Sequence, residues 1–322
     1  MGDRPAASIV NPMQLRDAAT PGPIVVGVER SERSGDAVAL AQTVARAAGT
    51  RLILVAVYHG DKRSLSVDRG AYEVARVEEA ESTLEWAAGP LSGVRAELRA
   101  VPCISVSRGL RQVAADERAL AIVVGPSHRG PVGQIVPGSV GTRLLHGAPC
   151  PVAVAPNGYS KGDQTPLRRI GVGYTDTPES VEALRAAVGL AARTGAAIRV
   201  LSVDELVVPT AVMLLALGRT DREAQTRARL AESLRGAMED VAAPVEISGD
   251  IVDGYADDEL ARLSGEVDLL VCGSRGHGPL GDVLLGSVSA GVLRKARGPV
   301  LVVPRRARDG FAGLQAQTQA VA

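Results

Sequence analysis

The sequence predicts an α/β protein made of two open parallel sheets in tandem, each with helices on both faces. Three observations carry this reading. Short aliphatic runs alternate with segments of helical period along the chain. The core that 46% hydrophobic residues permit must be aliphatic, because only 2% are aromatic, and buried parallel strands are near-continuous runs of Val, Ile and Leu. The chain also repeats itself: residues 121–156 align with 269–304 without a gap, and 322 residues suit two domains better than one.

Residues 1–22 lack a period and carry Pro5, Pro12 and Pro21, which reads as a flexible arm. The first half is assigned to 23–156. Ile24 to Val28 is a first strand, and Glu29-Arg30-Ser31 the loop after it. Ala37, Val38, Leu40, Ala41, Val44, Ala45 and Ala48 have helical spacing, and Gly49 is a C-terminal stop. Leu52 to Tyr58 is a second strand. Ala71 to Ala88 is a charged helix with Val74, Val77, Leu84 and Trp86 as candidate anchors. Val94 to Val101, a helix over Gly109 to Glu117, a strand over Leu120 to Val124, a short helix over Val140 to Leu145 and a last strand over Val152 to Val154 complete the half.

Residues 157–168 are polar, with Gly158, Gly162 and Pro166, and read as a linker. The order then repeats over 169–304. Ile170 to Gly173 is a strand, and Thr177 caps a helix whose first residue is Pro178 and whose stop is Gly195. Strands follow at Ile198–Val203, Val245–Ile251, Val267–Cys272 and Val300–Val303. Helices lie within Ala211–Asp240, at Asp257–Leu263 and at Ser287–Arg297, and residues 305–322 form a loose tail. The matched positions include Ile24/Ile170, Gly27/Gly173, Ser34/Ser180, Val123/Val271, Gly125/Gly273, Gly138/Gly286 and Ser139/Ser287.

The most informative stretch is Val271-Cys272-Gly273-Ser274-Arg275-Gly276, then nine residues, then Gly286-Ser287. A glycine loop between a buried strand and a helix start leaves backbone N–H groups converging on one spot, an anion site. In open parallel sheets such sites lie outside the carboxyl ends of the strands, at the switch in strand order. The pattern Gly-x2-Gly-x9-Gly-Ser in this setting resembles the universal stress protein family, over nearly the whole chain. That resemblance implies a flavodoxin-like (Rossmann-like) five-stranded sheet in each half and ATP as ligand, with Mg²⁺ arriving on the phosphates. It further implies that Gly273, Gly276, Gly286, Ser287 and Val288 cradle phosphate and ribose. The Val203 backbone would meet adenine, and an acid after the first strand would contact the nucleoside. That last position falls at Thr175, with Asp176 beside it. In the first half the matching residues are Gly125, Gly138, Ser139, Val140, Val57 and Glu29, with His128 where the second glycine is expected. A residue with a Cβ in left-handed backbone costs roughly 1–2 kcal/mol, so the second half carries the better site. Single-domain relatives pair through their last strands, which implies that Val152–Val154 and Val300–Val303 pair within this chain. A homodimer of whole chains is compatible with the pattern and not specified by it.

Other classes are disfavoured. With 36 basic and 36 acidic residues and no block of either sign, nucleic acid finds no electrostatic footprint. No apolar run is long enough for a membrane, and no signal-peptide core is seen near the start, so a cytoplasmic protein is expected. Cys103, Cys150 and Cys272 are far apart without metal-ligand spacing. Cys272 reads as a small core residue, and His59, His146 and His277 as loop or helix-end residues. Gly276, Gly278 and Gly281 also match a dinucleotide fingerprint, but after the fourth strand, with Pro279 inside and no acid about 20 residues on. No general base, nucleophile or metal cluster stands out, so an enzyme is not expected. The alternatives are a nucleotide-free scaffold, or a slow nucleotide hydrolase using Asp253 and Asp257.

Overall fold

The computed structural model describes residues 21–60, 70–127, 133, 135, 137–162, 165–205, 219–241, 244–274, 285–304, 311 and 314. The first half runs β1 (Ile24–Gly27), α1 (Glu32–Ala48), β2 (Leu52–Tyr58), α2 (Gly70–Ala88), β3 (Ala96–Pro102), α3 (Val106–Asp116), β4 (Ala121–Val124), α4 (Ser139–Leu145) and β5 (Val152–Val154). The second runs β6 (Arg169–Tyr174), α5 (Pro178–Thr194), β7 (Ala197–Glu205), α6 (Arg219–Asp240), β8 (Ile247–Gly254), α7 (Ala256–Ser264), β9 (Leu269–Gly273), α8 (Ser287–Lys295) and β10 (Val300–Val303).

The ten strands form one sheet in the order β3-β2-β1-β4-β5-β10-β9-β6-β7-β8. Every neighbouring pair is parallel except β5 and β10, where Val154 lies opposite Val300 and Val152 opposite Val302. That antiparallel junction covers one edge of each half with the other. Alternate strand residues enter two core layers. Ile24, Val26, Leu52, Leu54 and Val123 face α1, α2, α5 and α6. Val25, Ile53, Val55, Ile122 and Val124 face α3, α4, α7 and α8. Both layers run across the junction, so the halves share a continuous core.

Local chemistry sets the helix ends. Gly49 and Gly195 close α1 and α5 at φ 62° and 70°, left-handed positions that glycine takes without strain. Thr177 caps α5: its Oγ1 accepts from the Ser180 N–H, and Pro178 opens the helix.

Four expectations change. Of the predicted α2 anchors Leu84 is buried and Val77 half-buried, but Val74 and Trp86 are exposed, and Ala80, Thr83 and Ala87 complete the buried face. These lie at successive i+3/i+4 steps, whereas Val74 and Trp86 point off that face. The third strand of the second half runs Ile247–Gly254, because β7 itself extends to Glu205 and pairs with it residue by residue as far as Gly254. The connector is docked: buried Asp36 of α1 accepts from Gly158 N, Ser160 N and Ser160 Oγ at 2.9, 2.8 and 2.7 Å. In the tail, Phe311 and Leu314 are fully buried against α5, where the Phe311 carbonyl occupies the space a Cβ on Gly189 would need. Among the described residues no helix is long and apolar enough to cross a membrane.

Candidate functional site

Within each half the order 3-2-1-4-5 places the reversal of strand order between the first and fourth strands, the switch point past whose carboxyl ends doubly wound sheets form their crevice. Val26 is in register with Val123, so Val28 and Glu29 emerge beside Gly125. Gly173 is in register with Cys272, so Thr175 emerges beside Ser274. The strand ends that carry the predicted loops therefore lie side by side in each half.

The first glycine of each loop has a packing role. A Cβ on Gly273 would lie 2.9 Å from the backbone of Glu179, and one on Gly125 would lie 2.5 Å from the Arg33 carbonyl. Glu179 and Arg33 stand in the first turns of α5 and α1. Glycine lets the end of the fourth strand touch the first helix, which brings the two loop systems together.

In the second half the long loop is clamped at its base. Ser274 N–H donates to Val303 O at 2.8 Å, Gly286 N–H to Ser274 O at 2.7 Å, and Ser289 Oγ to Gly273 O at 2.8 Å. Gly286 is the N-cap of α8 without a side-chain cap. The N–H groups of the first turn, at Ser287 and Val288, have no acceptor inside the helix and carry its positive dipole end. Ser287 is exposed and Val288 packs half-buried on the core. Cys272, just before this loop, is buried, which pushes its thiol up to about 12, the state of an inert core residue.

The first half differs. Gly138 caps α4, with Ser139 exposed and Val140 half-buried. Its loop is tied to its surroundings: Pro126 bridges Pro137, Gly133 N–H donates to Asn157 O at 2.8 Å, and Ile135 N–H donates to Ala296 O of the second half at 3.2 Å. The Ile135 side chain is fully buried. Gly276, His128 and His277 lie outside the described residues.

The strand-two valines are placed by register. Ala197 N–H donates to Arg168 O, so on β7 the odd-numbered residues direct their N–H and C=O toward β6. Val203 has this direction but lies beyond Ser202, which pairs with the last residue of β6, Tyr174. Its N–H therefore closes the ladder on the Tyr174 carbonyl, and its own C=O is the first backbone group on that edge past the end of β6. Val57 on β2 has the same direction, since Val55 O accepts from Val28 N–H and β1 ends at Gly27.

The polar rim is unlike in the two halves. Glu29 is exposed, accepts from Ser31 Oγ at 3.1 Å, and lies 3.7 Å from the Arg33 guanidinium. In the second half Thr175 is half-buried and its carbonyl accepts from Thr177 N–H at 2.6 Å. Asp176 is exposed, and its Oδ1 accepts from Ser233 Oγ of α6 at 2.9 Å. The sequence did not single out Ser233. It stands beside Leu234 on a charged helix, and nothing local marks its reach to a loop far back in the chain. Of the two carboxylates considered for hydrolysis, Asp253 pairs with Arg227 at 2.5 Å and Asp257 with Lys295 at 2.7 Å.

The fold and the two clamped glycine loops define a tandem doubly wound α/β protein with a crevice at each switch point. The model of the universal stress protein family matches residues 21–156 and 166–304, and the chain belongs to that family. A universal stress protein of Mycobacterium tuberculosis strain H37Rv is 29% identical over 299 residues, spanning 87% of this chain and 99% of its own. A crystal structure of a universal stress protein from Archaeoglobus fulgidus covers 88% of this chain and 98% of its own, at a TM-score of 0.66 and 21% identity, a likeness of fold. A further structure from Archaeoglobus fulgidus, a universal stress protein in complex with dAMP, matches 42% of this chain and 98% of its own at 23% identity and a TM-score of 0.33.

Proposed function

We propose that the chain is a non-catalytic regulatory protein that binds ATP in the crevice of its second half. The observation that carries this reading is that the uncapped N-terminus of α8 is tied to the carboxyl end of β9 at Gly273 and Ser274, two strands from the Val203 carbonyl at the same end of the sheet. The Val203 carbonyl offers the exocyclic amino group of adenine an acceptor, and a helix N-terminus favours phosphate. Gly276, Gly286, Ser287 and Val288 would hold the phosphates, and Thr175 and Asp176 the ribose side. Magnesium would enter with the phosphates. Among the described residues no group of three or more His, Cys, Asp or Glu is arranged to hold a metal ion.

The first half serves in this reading as a nucleotide-poor partner. Its loop is anchored on the second half through Ile135, and the alternative function of a scaffold fits it better than the second half. The two halves act as one intramolecular pair through β5 and β10, so a homodimer would use other surfaces. The three free cysteines suit a reducing cytoplasm. Bound ATP would act as a ligand that stabilises one state in proportion to its concentration over Kd.

The test begins with protein purified from cells and denatured, whose released small molecules are analysed for adenine nucleotide. ATP is then titrated in a thermal melt of wild type and Gly286→Val, which puts a branched side chain at the N-cap of α8. Wild type should gain stability with ATP over its own ligand-free melt, and Gly286→Val should not gain over its own. Equal stabilisation of both would place the ligand elsewhere.

A further inference from the structure

Asp176 is the exposed acid at the crevice of the second half, and an exposed aspartate ordinarily exchanges among rotamers. Here it is held. Ser233 Oγ lies 2.9 Å from Asp176 Oδ1 and 2.9 Å from the Tyr174 hydroxyl. An ionised carboxylate only accepts, so the Ser233 proton goes to Asp176. The serine oxygen must then accept, and the Tyr174 hydroxyl is its donor. That hydroxyl also reaches the Ser233 carbonyl at 3.3 Å, and the tyrosine itself is 5% exposed, fixed in the core at the last position of β6. The proton order in this chain is thus determined from Tyr174 through Ser233 to Asp176. Among the described residues Asp176 makes no other hydrogen bond, so Oδ2 keeps its acceptor capacity.

The first half shows the same corner with opposite charge. At the spacing that aligns Ile24 with Ile170, Arg30 takes the place of Asp176, and its Nη1 donates to Ser82 Oγ of α2 at 3.3 Å. In both halves a serine on the helix after the second strand steadies the residue following the first strand. Only in the second half is that residue an acceptor.

We infer that Ser233 is a positioning residue which, anchored by Tyr174, presets Asp176 to accept a ribose hydroxyl, so that the second half prefers ribonucleotides to their deoxy analogues. This rests on the nucleotide reading given above. Holding the carboxylate in advance removes the ordering cost that binding would otherwise carry. A hydroxyl donating to a carboxylate is a charge-assisted bond, and its loss in a deoxy analogue corresponds to about a ten- to hundredfold weaker complex. Loss of the Ser233 tether should weaken ATP binding by about three- to tenfold and shrink the discrimination with it.

The experiment measures affinities of ATP, 2′-deoxyATP and 3′-deoxyATP for the full chain by calorimetry, in wild type, Ser233→Ala, Ser233→Thr and Asp176→Asn. The expected result is a clear preference of wild type for ATP over one deoxy analogue. Ser233→Ala should reduce that preference, Ser233→Thr should restore it, and Asp176→Asn should abolish it, with the ligand-free melting temperatures close to wild type. Binding of ATP by wild type without any such preference overturns the positioning role and leaves the nucleotide reading intact. An unchanged preference in Ser233→Ala does the same, as does a loss in Ser233→Ala that Ser233→Thr does not restore. Absence of binding by wild type to all three nucleotides removes both.

Discussion

Replacing Gly273 or Gly125 by alanine separates packing from ligand binding at the heart of each crevice. The added Cβ would meet backbone and not a movable side-chain end: the Glu179 C, O and Cβ atoms at 2.9 Å for Gly273, and the Arg33 carbonyl at 2.5 Å for Gly125. Ordinary contact begins near 3.4 Å, so the first turn of α5 must retreat by about half an ångström and that of α1 by nearly twice as much. Overpacking of this kind costs roughly 1–3 kcal/mol, and the two distances place Gly125→Ala toward the upper end and Gly273→Ala toward the lower. The assay is urea unfolding of wild type and both variants without nucleotide. Reduced midpoints at an unchanged slope, ordered wild type, Gly273→Ala, Gly125→Ala, are expected. Two variants as stable as wild type would refute the reasoning, since the helix turns would then move without cost and the glycines would have to be explained by ligand contact alone.

Two further outcomes follow from single interactions. Thr177→Ala removes the side-chain acceptor for the Ser180 N–H at the start of α5 and should cost about 1 kcal/mol in urea unfolding, with Thr177→Ser close to wild type. At the opposite end of the first half, Arg51 and Arg99 both grip Glu97 and Glu117, with each arginine 3.0 Å from Glu117. Burial pushes the Glu117 carboxyl up, but the hydrogen bonds and charges of Arg99 and Arg51 outweigh it and hold its pKa below the usual 4.5. Its stabilisation is therefore fully present above pH 4.5 and is lost as the pH falls through the folded value. Glu117→Gln should lower stability at pH 7 by roughly 1 kcal/mol and flatten the acid side of the stability profile. A parallel loss at every pH would contradict this.

Much of the fold was legible because it is written in local signals. Thr177-Pro178, Gly195 and Gly49 mark helix ends by their own backbone preferences, and the buried strands are unbroken aliphatic runs, so β2, β5 and β10 were predicted with the bounds observed. The misreadings share a different cause. The inner face of α2 is lined by Ala80, Thr83 and Ala87, residues too small to announce a core, while Trp86 drew attention by size alone. Asp36 and Phe311 act on partners far along the chain, the connector and α5, and composition around them says little of that. At the site, the glycines were found because a repeat makes them visible. The support of Asp176 was not, because a serine on a charged helix has no pattern of its own.

The divergence of the two halves also has a structural logic. In the first, the residue following β1 by three positions is Arg30, and the first helix turn beside Gly125 carries Arg33. In the second, Asp176 and Glu179 stand at these places. The first half has meanwhile turned its loop to another use. Ile135 donates to the carbonyl of Ala296, the C-cap of α8, and buries its side chain among residues of that layer. The N-terminus of α8 is the end that faces the second crevice. A nine-residue helix is short enough that bracing one end limits tilt at the other. Loss of a glycine from the first loop therefore does not leave it idle: that half braces the helix whose first turn carries Gly286-Ser287.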